Sequence, residues 1–93
     1  MTDNEKLDYT LKALYIATKN GKMLKIISAF ESNGEKLTIE ELRNIKVIIE
    51  TLGYAVFQVE AGGTDYRAQI RQPGIVFVES NSFSQPGKSI LNI

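Results

Sequence analysis

From Thr2 to Leu52 the apolar residues recur at helical spacing, and from Tyr54 to Arg71 they alternate. Thr2-Asp3-Asn4-Glu5 has the spacing of a capping box, in which the Thr hydroxyl and the Glu carboxylate satisfy the first free N–H groups of a helix. Leu7, Leu11, Leu14, Tyr15 and Thr18 then fall on one helical face, and Asn20-Gly21 supplies the stop. A second apolar stripe of Tyr9, Ala13 and Ile16 lies on roughly the opposite side, which leaves a narrow ridge of Glu5, Asp8, Lys12 and Lys19 for water. A helix apolar on two sides is usually sandwiched, by its own chain or by a partner. Lys22 to Glu31 places Met23, Ile26, Ile27 and Phe30 at i, i+3, i+4 and i+7, which predicts a second helix closed by Ser32-Asn33-Gly34. Thr38-Ile39-Glu40-Glu41 is a second capping box, so a third helix is expected to run to about Leu52, with Gly53 after its end. Its core face is Leu42, Ile45, Ile49 and Leu52, flanked by Ile48. Its outer face is Glu40, Arg43, Asn44, Val47 and Thr51, with Lys46 and Glu50 at the margins.

After Gly53 the period becomes two. Tyr54 to Glu60 reads as a strand, Ala61-Gly62-Gly63-Thr64 as a turn, and Asp65 to Arg71 as the return strand. In the return strand Tyr66, Ala68 and Ile70 face one way and Arg67, Gln69 and Arg71 the other. Pro73 suits the first turn of a short helix, Pro73 to Ser80, that packs Ile75, Phe77 and Val78. From Asn81 the chain is rich in Ser and is expected to be extended, yet Phe83, Ile90, Leu91 and Ile93 need an apolar surface to lie on. The organisation expected is one domain over residues 1–80 and an extended tail over 81–93, packed on that domain or on a partner subunit.

Composition narrows the chemistry. The chain has 93 residues with 11 Lys and Arg against 11 Asp and Glu, and it contains no His, Cys or Trp. A zinc site built on Cys or His, a disulfide framework, a thiol nucleophile and a His-based triad are therefore excluded. No carboxylate pair stands out as general acid and base, and Gly62-Gly63 lacks the helix and Lys of a phosphate-binding loop. The expectation is a protein that is not an enzyme and uses no cofactor or metal. No apolar run approaches the ~20 residues of a membrane-spanning helix, and the N-terminus is polar and mixed in charge, so a cytoplasmic protein without membrane contact is expected.

Three helices followed by a Gly-tipped hairpin is the order of a winged helix-turn-helix. The resemblance is carried by Leu37-Thr38-Ile39-Glu40-Glu41-Leu42, Leu52-Gly53-Tyr54 and Gly62-Gly63-Thr64-Asp65-Tyr66-Arg67-Ala68-Gln69-Ile70. These look like a recognition helix, its terminating Gly and a wing. Gly74-Ile75-Val76-Phe77-Val78-Glu79 is similar to the close of many small bacterial winged-helix proteins, with Arg71 where a Thr is common. The segment Ser32 to Leu37 is long for a tight helix-turn-helix turn. The resemblance implies an α+β winged helix that binds double-stranded DNA as a transcription regulator.

Carried over by position, the base-reading candidates are Arg43 and Asn44, with Lys46 beside them and Val47 and Thr51 available to a thymine methyl; Arg67 and Arg71 lie along the wing strand within reach of phosphates. The same residues also suit the plain solvated face of an amphipathic helix. Charge opposes DNA, because Glu40, Glu41 and Glu50 surround the third helix and Glu60 and Asp65 flank a wing tip without Lys or Arg. Arg67 and Arg71 are equally able to pair with Glu60 or another strand carboxylate. Tyr9, Ala13 and Ile16 with Phe83, Ile90 and Leu91 form the candidate tail or dimer contact, with a homodimer expected. The competing class is a protein-interaction module on the same scaffold, without DNA binding.

Overall fold

Both capping boxes form. The computed structural model describes all of residues 1–93. Thr2 caps the helix α1, Asp3–Lys19, and Thr38 caps the helix α3, Ile39–Thr51, each with its Glu returning a bond to the cap N–H. Between them lie a two-residue strand β1, Leu24–Lys25, and a short helix α2, Ile26–Ser32. The hairpin is β2, Ala55–Val59, and β3, Tyr66–Ile70. The helix α4, Gln72–Ser80, follows, and a 3-10 turn at Ile90–Asn92 closes the chain.

Four helices and a three-stranded antiparallel sheet of order β1-β3-β2 make a mixed α+β fold, consistent with a small winged-helix-like arrangement. In β2 and β3 the register Phe57↔Ala68 and Ala55↔Ile70 turns four buried side chains toward the helices, as alternation predicts. They meet Leu11, Leu14, Ile26, Phe30, Leu42, Ile49 and Val78 in a single core. At the wing turn Gly62 and Gly63 have φ of 90° and 69°, a conformation that side chains with a Cβ rarely adopt.

The expected second helix from Lys22 is corrected. Leu24 and Lys25 pair with Ala68 and Arg67 of β3, so the chain enters the sheet before it turns into a helix. The apolar spacing of Met23 to Phe30 suits both states, and pairing with β3 decides it; Met23 is left exposed. Leu52 is also corrected. It stands one residue beyond α3, outside the buried ridge of Leu42, Ile45 and Ile49, and is 46% exposed.

Asp8, expected to face water, is buried. Its Oδ1 accepts from the Phe83 N–H at 2.7 Å, and its Oδ2 accepts from the Ser84 N–H at 3.0 Å and from the Ser84 hydroxyl. The tail is therefore folded, not extended, and it lies on its own chain. Asn81 Oδ1 accepts from the N–H groups of Ser82 and Gly87, the Ser89 hydroxyl donates to the Val78 carbonyl, and Ile90 is buried in the core. Phe83 packs on Phe77, and Phe77 on Tyr54, at centroid separations of 4.8 and 4.7 Å. Asp8→Ala is expected to cost about 2 kcal/mol, the scale of losing hydrogen bonds to a buried charge. Hydrogen exchange should then show the Phe83 and Ser84 amides losing protection while those of α3 keep theirs. Unchanged protection at both would contradict the assigned role.

Candidate nucleic-acid interface

Helix α3 divides cleanly. Leu42, Ile45 and Ile49 are buried, and Arg43, Asn44, Val47 and Thr51 on the other side are exposed, Val47 at 60%. None of the four ion pairs of the chain engages Arg43 or Arg71, so both guanidinium groups are free for a ligand.

Lys46 behaves differently from its neighbours. Its Nζ lies 2.8 Å from Glu50 Oε1 and 6.0 Å from the centre of the Tyr66 ring. The hydrogen bond that Lys46 donates to Glu50 raises its ammonium above the usual lysine range. Burial works against the charge of Glu50, but Lys46 and the Phe57 N–H together hold its carboxyl below the usual carboxylate range. Glu50 Oε2 accepts from that Phe57 N–H at 3.1 Å. Lys46 and Glu50 therefore fasten α3 to the wing strands, and the charge of Lys46 is spent inside the molecule. A parallel pair, Lys6 with Glu41, ties α1 to the start of α3, and the bond from Lys6 is the main cause that lowers the Glu41 carboxyl.

At the wing base, Arg67 Nε lies 3.1 Å from Glu60 Oε1, and Lys25 Nζ lies 3.9 Å from the same oxygen. The pairing of Arg67 with Glu60 is thus realised. Arg71 is exposed at the N-cap of α4. The wing tip, Ala61 to Thr64, carries no cation, and Val59 beside it is 60% exposed.

The stripe and tail residues separate into two groups. The Tyr9 hydroxyl donates to the Ala29 carbonyl at 3.0 Å, and its ring meets Phe30 edge to face at 4.7 Å. Tyr9, Phe83 and Ile90 are therefore used within one chain, and Ala13 is half-buried. Ile16, 50% exposed, and Leu91 remain on the surface. No group of three or more His, Cys, Asp or Glu side chains is placed to hold a metal ion. No helix is long and apolar enough to cross a membrane.

Two buried carboxylates that the residue pattern does not mark tie distant segments together. Asp8 holds the tail, and Asp65 at the wing base accepts from the Ile27 and Ser28 N–H groups at 2.9 and 3.2 Å. Asp65 thereby caps α2, whose own N-cap residue, Lys25, makes no side-chain cap bond. An Asp closing a Gly-Gly turn was the only local signal, and it points to the turn, not to a helix 37 residues away in sequence. The chain matches no known protein family, and no match was found among curated proteins or solved structures.

Proposed function

We propose that the chain is a winged-helix DNA-binding domain of the transcription-regulator kind, cytoplasmic and without enzymatic chemistry. The observation that supports this reading best is the free outer side of α3. Arg43 and Asn44 stand there as donors suited to guanine and adenine, with Val47 and Thr51 beside them for a thymine methyl. Arg71 supplies a second unpaired guanidinium, suited to a phosphate. Affinity of one domain is low in this reading, because four of the 11 cations (Lys6, Lys25, Lys46 and Arg67) already face carboxylates of their own chain. A homodimer, joined through the exposed Ile16 and Leu91, would supply the second half-site.

Duplex binding followed by fluorescence anisotropy is expected at low ionic strength and should fade steeply toward moderate salt. Arg43→Ala should weaken it by ~1–3 kcal/mol, the worth of a good base contact. Arg71→Ala should weaken all sequences alike. Absence of duplex binding at low salt rejects the reading. It would favour the second one, a protein-interaction module, which rests on the exposed apolar residues Val47 and Ile48 of α3 and Leu52 just beyond its end.

A further inference from the structure

The outer face of the sheet carries an arrangement that core packing does not require. Lys25 and Gln58 are the register partners of Arg67 on its two sides, so one row across the three strands reads Lys25, Arg67, Gln58. Partners directly opposite one another share a face, and all three side chains are exposed. Two like charges side by side in such a row repel each other. Glu60 lies two residues beyond Gln58, and its Oε1 sits against both cations. That oxygen is buried yet accepts no hydrogen bond, while its distance to Arg67 Nε is 3.1 Å. The guanidinium thus touches the carboxylate without the two parallel bonds of a well-made Arg–carboxylate pair, and its outer N–H groups remain open to solvent. The other carboxylates along the adjoining cleft are Glu31 and Asp65. Asp65 is occupied by the N–H groups of α2. Glu31 is exposed.

We propose that Lys25, Arg67 and Gln58 form an oxyanion site for phosphate, and that Glu60 is a built-in competitor for it. The Glu60 carboxylate stands in for the incoming anion and sets a low affinity. A phosphate displaces it because its two or more unesterified oxygens, each with several lone pairs, can serve an ammonium, a guanidinium and an amide together, whereas one carboxylate oxygen serves two cations poorly. The phosphate is either a backbone diester of the duplex in the reading above or a free anion. The proposal extends that reading to the wing base but can be tested apart from it.

The test uses pyrophosphate and a DNA duplex as separate probes, each titrated into the whole chain and followed by amide chemical shifts. Removing one negative charge with Glu60→Gln is expected to tighten both by about fivefold, the factor for a unit charge ~4 Å away in water. It should also steepen the salt dependence of duplex binding by about one phosphate contact. Lys25→Ala and Arg67→Ala should each abolish the pyrophosphate shifts at Gln58 while the spectra stay dispersed. If pyrophosphate behaves this way and the duplex does not bind, the site stands and the duplex reading falls. If the duplex binds through α3 while Glu60→Gln leaves both affinities unchanged or lowers them, the proposal is overturned and the duplex reading survives. No response to either probe rejects both.

Discussion

Gly74→Ala should lower the stability of the domain by about 3 kcal/mol or more, beyond the usual range for an overpacked core. A Cβ at this position would lie 2.2 Å from the Tyr54 carbonyl oxygen, 3.0 Å from its carbon and 2.8 Å from Ile70 Cγ1. The first two are main-chain atoms, so no rotamer change relieves the clash. The Tyr54 carbonyl also accepts from the Arg71 N–H at 2.8 Å, the bond that carries the β2–β3 pairing up to the start of α4. Moving it away would loosen that junction. One ordinary effect works in the opposite direction. Alanine is the better helix former by about 1 kcal/mol, chiefly because it restricts the unfolded chain. The sign of the measured change therefore separates the close approach from a generic helix glycine. Thermal unfolding should shift downward by about 12 °C or more, taking ~4 °C per kcal/mol for a domain of this size. A variant as stable as the parent would contradict the packing of α4 on Tyr54.

The second large effect is expected at Asp65. Its carboxylate accepts from Ile27 N–H at 2.9 Å, Ser28 N–H at 3.2 Å, the Ser28 hydroxyl at 3.1 Å and its own neighbour Tyr66 N–H at 2.7 Å. Seven residues are too few for a helix to persist without tertiary support. Asp65→Ala strips the first turn of α2 of its acceptors in a place where water enters poorly, and a loss of about 3 kcal/mol is expected for hydrogen bonds to a buried charge. Asp65→Asn should lose less, since one oxygen remains, but its amide N–H₂ then faces donors on Ser28 or Tyr66. Chemical denaturation of the parent and both variants checks the order: parent, then Asn, then Ala. Equal stability of parent and Ala would refute the role of Asp65 as a cap.

The elements that could be read from the sequence are those whose cause is local. Thr2 with Glu5, and Thr38 with Glu41, specify where α1 and α3 begin because both halves of each cap lie three residues apart. The alternation from Ala55 to Ile70 specifies the wing for the same reason. What was illegible depends on partners far along the chain. Nothing near Leu24 announces that it will pair with Ala68, and nothing near Asp8 announces Ser84. In the candidate interface, Arg43, Asn44, Val47 and Thr51 follow from the phase of α3 alone. The pairing of Lys46 with Glu50 has helical spacing, i to i+4, and was open to inspection in the sequence. The joint hold of Lys25 and Arg67 on Glu60 requires the register of three strands, which no single segment contains.

The latch between Asp8 and the tail has a consequence for the order of synthesis. Helix α1 is made well before the tail, yet the N–H groups that satisfy its buried carboxylate belong to residues 75 and 76 positions later. At roughly 5–20 residues per second of translation, α1 waits several seconds before those donors exist. During that interval the side that will carry Phe83 and Ile90 lies open on the nascent chain. The tail thus completes a helix synthesised long before it.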